Sequence, residues 1–531
     1  MIRRLLLIAV LVVAAVPRLV DLDGIPPALF IDEAQNGLDA WAIRTGENFP
    51  IWVTVPENPH RGREPMFAYL MAGVMTILGP SAVAVRLTSA LIGIATIGFF
   101  FALCEKLRGT SFALVAALLL SLSRWHINMS RIGFRAILVP LFIVLACLAI
   151  HALIRHERPR AAVATGIVLG AGFYTYTAWA VVLPAFLLLY VIVRVRRGPL
   201  LKRPQLWLAA LVMILTLTPL TLYAASNPDQ FFARAAQTSA PVARSASDLV
   251  ENTQRVLFMF HFRGDQEARH NIPGQPMLDP FMGLFFAVGL YVAARRAVRG
   301  DMVALGALLL WLFALVPSAV TENAPHALRA IGTLPPICFI TAMALDRLLD
   351  PGQSRRRLVR AATIAVSAAL FAFIAIWNLQ SHFVRWANHD EVADHFSTDI
   401  PRFYSLLDER AQGHDLFATP YLYHSPNIRF LNLSSGLDMH PIEGHAFATR
   451  GTSSRDRIIA SDNEAVNLLV ESLYPNAAIV GRFGTWGSSS GRIYRIPFEQ
   501  LEDSLQPDEV FVAETLIETM LKSFDATKSL W

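Results

Sequence analysis

Two adjacent acids, Asp32 and Glu33, follow the first apolar stretch of the chain in the run Phe30-Ile31-Asp32-Glu33-Ala34. Neighbouring helical residues do not share a face, so one carboxylate can serve a reaction while the other holds a helix or a partner. A carboxylate at a membrane boundary can take the proton of an acceptor hydroxyl, work worth about 10²- to 10⁴-fold in rate. The same pair also reads as an Asp32 N-cap followed by a first-turn acid that complements the helix dipole. Pattern alone leaves both readings open.

Cations form a second group. The segment between Ser123 and Arg135 carries Arg124, Arg131 and Arg135, and Arg86 stands near one end of an apolar run. A charge within hydrocarbon costs roughly 2.5 to 3.5 kcal/mol on insertion scales unless it is paired or interfacial. These guanidinium groups therefore need anions, either protein carboxylates or a phosphate held at the membrane surface. Arg263 to Gly274, with His270, and Glu322 to Arg329, with His326, each combine His, Arg and an acid beside Gly or Pro. No HxxxH or HExxH pattern occurs, so no metal or other cofactor is expected. Neither a GxxxxGK[ST] loop nor a GxGxxG after a strand points to a nucleotide.

These groups must be positioned by a membrane scaffold. Of the 531 residues, 54% are hydrophobic and only 16% charged, whereas soluble domains are nearer a quarter charged. Apolar runs of about 20 residues, enough to cross roughly 30 Å of hydrocarbon, recur along the chain. The net charge of +5 comes from arginines clustered between those runs, a positive-inside pattern rather than a nucleic-acid surface. Cys104, Cys147 and Cys338 all lie in apolar runs, which excludes a disulfide framework in the loops.

Charge and parity agree on an α-helical polytopic protein of eleven spans: Leu5–Val20, Ala82–Cys104, Thr110–Leu122, Ala136–Ile154, Ala161–Phe173, Ala178–Val193, Gln205–Ala224, Leu278–Ala294, Met302–Val320, Ala330–Leu349 and Ala361–Gln380. Met66–Leu78 is expected to lie along the membrane, since an extra span there would put the later basic loops outside. Residues 1–380 then form the membrane domain with large outer loops at 21–81 and 225–277. Asp32 is expected to cap a short helix that stops at Gly46. Residues 381–531 lose the long apolar runs and are expected to form a small extracytoplasmic α/β domain. In it, Ile428–Leu433, Ala477–Phe483 and Arg492–Ile496 read as strands and Glu464–Leu473 as a helix. The whole is expected in the cytoplasmic membrane, with the acid pair outside.

Asp32-Glu33 after the first span, Arg63-Glu64-Pro65-Met66-Phe67-Ala68-Tyr69-Leu70, and Gly79-Pro80-Ser81-Ala82-Val83-Ala84-Val85-Arg86-Leu87 resemble the GT-C membrane glycosyltransferases. Within that fold they are similar to glycosyltransferase family 39, which holds protein O-mannosyltransferases and lipid A aminoarabinose transferases. The resemblance covers roughly residues 1 to 350 and is carried mostly by the first hundred. It implies an inverting transfer of a sugar from a polyprenyl-phosphate donor to a protein, lipid or glycan acceptor on the outer face. It also implies that Asp32 acts on the acceptor, with Glu33 beside it. Basic residues would hold the donor phosphate, with Arg63, Arg131, Arg135, His270, His326 and Arg329 as candidates. Arg63 stands in Arg-Glu-Pro where relatives often carry Lys-Pro-Pro. A lipid or polysaccharide transporter, or a ligase or oligosaccharyltransferase moving a whole glycan, are the alternative functions.

Overall fold

The computed structural model describes residues 2–55, 58–197, 203–232, 246–346, 357–396, 398–442, 455–483 and 491–501. Each of the eleven expected spans contains a helix: α1 (Ile2–Leu19), α4 (Ala82–Arg108), α5 (Thr110–Leu122), α7 (Leu138–His156), α8 (Pro159–Ala171), α9 (Ala178–Arg197), α10 (Pro204–Ser226), α12 (Pro280–Val298), α13 (Met302–Ala319), α14 (Leu334–Leu345) and α15 (Arg357–Gln380). Between them lie α2 (Ile31–Thr45), α3 (Met66–Leu78), the short α6 (Arg124–Met129) and α11 (Ala246–Phe258), and a hairpin of β1 (Val53–Val55) with β2 (Asn58–Arg63). Among the described residues, seven helices have the length and apolar composition to cross a membrane. α3 and α5 are shorter apolar helices of 13 residues each, about 20 Å at 1.5 Å per residue. The protein is a multi-pass membrane protein with mostly helical structure. Parts of two basic segments expected on the inner side, residues 198–202 and 347–356, lie outside the described residues.

The helix ends follow local chemistry. Ser81 accepts from the Ala84 amide at the start of α4, Asp279 caps α12, and Asp301 caps α13. α2 departs from expectation at its start and agrees at its end. Its N-cap is Phe30, not Asp32, because the Glu33 carboxylate reaches back to the Phe30 amide at 2.9 Å. Gly46 closes it with φ at +84°, a left-handed conformation that glycine adopts without a Cβ clash.

After α15 a turn of π-helix, Ser381–Trp386, leads into α16 (Asp390–His395) and α17 (Asp399–Ala411). A five-stranded sheet follows, in the order β4-β3-β5-β7-β6, built from β3 (Asp415–Ala418), β4 (Met439–Pro441), β5 (Arg457–Ser461), β6 (Ala478–Phe483) and β7 (Gly491–Ile496). β3 pairs parallel with β4 and β5, whereas β7 pairs antiparallel with β5 and β6. α18 (Pro420–His424), α19 (Pro426–Ser435) and α20 (Glu464–Leu473) complete it. The expected strand Ile428–Leu433 is therefore helical, in α19. A short apolar run does not distinguish strand from helix. Pro426 in the first turn and Gly436 at φ +68° bracket a helix instead.

This region packs onto the helix that carries the acid pair. The Phe430 ring of α19 fills the space beside Gly37 of α2, where a Cβ would come within 2.4 Å of it. Asn427 donates to the Leu29 carbonyl at 2.8 Å.

Candidate active site

Two buried arginines shape the loop that delivers Asp32. Arg86 of α4 donates to the carbonyls of Leu22, Asp23, Pro26 and Ala28. Arg131 donates to those of Pro17, Val20, Asp21 and Ile25. The eleven residues between α1 and α2 cannot satisfy all of their own carbonyls, and each guanidinium offers five donors in a fixed fork. Arg131 was a candidate for the donor phosphate; it is fully buried and bound to chain carbonyls instead. Arg18 makes a third tie, donating to the Ser121 carbonyl at 3.0 Å and meeting His126 Nδ1 at 2.7 Å.

The two acids are used differently. Glu33 is fully buried. It accepts from the Phe30 amide at 2.9 Å and the Gly133 amide at 2.7 Å, with Arg86 Nε 3.7 Å away. Burial raises its carboxyl pKa above the ordinary value, against the opposing pull of Arg86 and the two amides. These contacts tie Glu33 into the start of α2 and the Gly133 loop, whereas it was expected beside Asp32 in the reaction. Asp32, one residue earlier, is exposed and makes no hydrogen bond or ion pair among the described residues.

Arg135 stands within electrostatic reach of Asp32. Its Nε donates to Glu64 Oε2 at 2.7 Å, and its guanidinium lies 5.2 Å from the centre of the Tyr176 ring. Its Nη2 is buried without a hydrogen-bond partner. Arg63 instead closes an ion pair with Asp39 of α2 and is nearly buried, so it braces β2 against α2 rather than presenting a free cation.

The remaining candidates converge on one cluster. Asp265 Oδ2 meets His270 Nδ1 at 3.0 Å and accepts from the Ala327 amide at 2.6 Å, while its Oδ1 accepts from the Glu267 amide at 2.9 Å. The His270 and His326 rings are 4.9 Å apart. Burial pushes the Asp265 carboxyl up, yet the His270 hydrogen bond, both imidazoles and the Glu267 amide hold it below the ordinary value. Burial, then the charge of His270, pushes His326 well below the usual histidine value. Arg269 and Arg329 add positive charge around His326.

Arg269 links this cluster to the acid loop. It pairs with Glu267 at 2.9 Å and covers the Phe30 ring at 4.2 Å. Phe134 packs edge-on between Phe30 and His270. Asn128 donates to the Arg269 carbonyl, and Trp386 Nε1 to that of Ala268 at 2.7 Å. Thus the loops after α1, α5, α11 and α13 meet on one face. Ligand atoms of Asp265, His270 and His326 all lie within 4.8 Å of one another, a set able to hold a metal ion that no local spacing announced. Glu64, Asp265 and Arg269 lie in segments quoted from the sequence but were given no site role, and neither was Tyr176, because their roles rest on contacts between distant segments.

A family model described as dolichyl-phosphate-mannose-protein mannosyltransferase matches residues 58–223, a stretch that contains Glu64, Arg86, Arg131, Arg135 and Tyr176 but not Asp32. No curated protein sequence matches at a significant level. The crystal structure of ArnT from Cupriavidus metallidurans bound to undecaprenyl phosphate is similar with a TM-score of 0.58 at 14% identity, covering 92% of this chain and 97% of that one. Its apo form gives 0.54 at 14% identity, covering 94% and 98%. The Archaeoglobus fulgidus oligosaccharyltransferase tethered with an acceptor peptide gives 0.50 at 14% identity, covering 94% of this chain and 77% of that one. The chain thus has the GT-C fold, and within it resembles glycosyltransferase family 39.

Proposed function

We propose that the protein is an inverting glycosyltransferase that moves a sugar from a polyprenyl-phosphate donor to an acceptor hydroxyl on the extracytoplasmic face of the cytoplasmic membrane. The observation that carries this reading is the free, exposed Asp32 carboxylate within electrostatic reach of Arg135, whose Nη2 has no partner. Asp32 takes the acceptor proton as the hydroxyl oxygen bonds to the anomeric carbon from the side opposite the phosphate. The carbon–oxygen bond to the phosphate breaks, and its electron pair leaves with the lipid phosphate. Arg135, and the cations Arg269 and Arg329 with the neighbouring His270 as a hydrogen-bonding group, stabilise that charge without protonating it.

The similarity to ArnT with undecaprenyl phosphate and to the dolichyl-phosphate-mannose family model supports the lipid-linked donor. The step is written with protein groups alone, and the Asp265, His270 and His326 set that could hold a metal ion takes no part in it. Transport is not favoured, since the buried arginines at 18, 86 and 131 are spent at helix ends on the outer loops rather than along a pathway.

The test is Asp32→Asn, assayed for sugar transfer from polyprenyl-phosphate donors in detergent. We expect transfer to fall by about 10²-fold or more at unchanged protein level. Parent turnover in the variant would remove Asp32 from the role.

A further inference from the structure

Away from this site, five helices enclose a cavity of about 410 Å³ at the opposite membrane face. Its apolar walls come from Phe100 of α4, Ile143 of α7, Phe186 of α9, Leu310 of α13 and Phe339 of α14. The side chains of Lys106, His151 and Arg155 line its mouth, beside the turns joining α4 to α5 and α7 to α8. The cavity therefore runs from a basic rim at the helix ends into the apolar layer, with Pro335 and Pro336 of α14 deeper within it.

The rim cations are unusual for their lack of acids. The acids nearest to them in sequence are already taken: Glu105 by Arg3, Asp301 by Arg108, and Glu157 by both Arg194 and Arg203. Lys106, His151 and Arg155 have no ion pair among the described residues, and they lie within electrostatic reach of one another around His151. Two unpaired cations beside a histidine, over an apolar hole, favour an anion with a hydrocarbon tail.

We propose that this cavity is a binding site for an anionic phospholipid of the cytoplasmic leaflet. Its acyl chain fills the space between Phe100, Phe186 and Phe339. Its phosphate is held by Lys106 and Arg155, with His151 as a further hydrogen-bond donor. A phosphodiester with an apolar tail satisfies both halves of the site, whereas a zwitterionic lipid brings its own cation to a rim that already carries three basic groups. The leaflet follows from the orientation proposed above, but the site does not depend on the transfer chemistry.

The experiment is native mass spectrometry of the full chain in mild detergent, titrated with dioleoylphosphatidylglycerol or dioleoylphosphatidylcholine. The parent is expected to retain one phosphatidylglycerol in preference to phosphatidylcholine. Lys106→Gln with Arg155→Gln weakens that binding roughly thirtyfold, at about one charge's surface attraction for each residue. Ala307→Leu, which fills the wall and keeps both cations, also weakens it. Equal retention of the two lipids by the parent overturns the proposal, as does undiminished phosphatidylglycerol binding in the double variant. Preferential retention of polyprenyl phosphate in this cavity overturns it too, because the occupant would then be a donor lipid.

Discussion

The Gly133 amide donates to Glu33 Oε1 at 2.7 Å across one hundred residues of chain, so the loop after α5 is fastened to the residue next to Asp32. A Cβ on Gly133 would come within 2.3 Å of Val85, which keeps this approach open to glycine. Glu33→Gln preserves the shape but supplies one carbonyl oxygen where two amides need acceptors. A buried donor left unpaired costs about 1–3 kcal/mol. We expect Glu33→Gln to lower the thermal midpoint and the transfer rate together, whereas Asp32→Asn lowers the rate alone. A Glu33→Gln protein as stable as the parent yet inactive would move the base from Asp32 to Glu33.

Arg131 and Arg135 are four residues apart and do opposite things. Removing Arg131 leaves the carbonyls of Pro17, Val20, Asp21 and Ile25 without their donor. Arg131→Gln is expected to cost about 3 kcal/mol or more of stability, seen as lost yield and a lower unfolding temperature. Donor affinity of the folded fraction should stay at the parent level. A stable variant with weakened donor binding would return Arg131 to the phosphate site.

For Arg135, truncation alone would take an ion-pair partner from the buried Glu64 carboxylate, so the informative variant pairs Arg135→Met with Glu64→Gln. The folded double variant loses one charge-assisted hydrogen bond to the donor phosphate, and its donor affinity should fall roughly tenfold or more. Titration of polyprenyl phosphate by tryptophan fluorescence measures this directly. Affinity equal to the parent would sever Arg135 from the phosphate.

Much of the scaffold could be read from the chain because its cause is local. Apolar length located a helix in every expected span, Gly46 ended α2, and Glu464–Leu473 is a helix over the expected residues. The division of labour in the site could not be read in the same way. Nothing near Arg131 or Arg135 tells which one folds onto carbonyls more than a hundred residues back in the chain. Phe30, rather than Asp32, became the cap of α2 because Glu33 reached back to its amide. The Asp265 cluster likewise depends on Ala327, 62 residues away. Ile428–Leu433 reads as a strand for a related reason, since four apolar residues interrupted by Arg429 and Asn432 fit either period until Pro426 and Gly436 are weighed.

The pairing of His326 with the Asp265 cluster sets a pH response. Burial and the neighbouring His270 hold His326 well below its usual value of 6.5 in the folded chain, while the unfolded chain titrates near that value. Between the two, the unfolded state binds more protons than the folded one, so stability rises with pH through that window and falls as pH drops below about 6.5. Asp265, held low, adds no loss until pH falls below the ordinary carboxylate range. We therefore expect hydrogen exchange of the Asp265–Asn271 amides to quicken between pH 7 and 5, ahead of the α4 and α7 amides after correction for intrinsic rates. His326→Asn, which cannot take up the proton, should flatten that response. Identical pH profiles for the parent and His326→Asn would show that another group governs this loop.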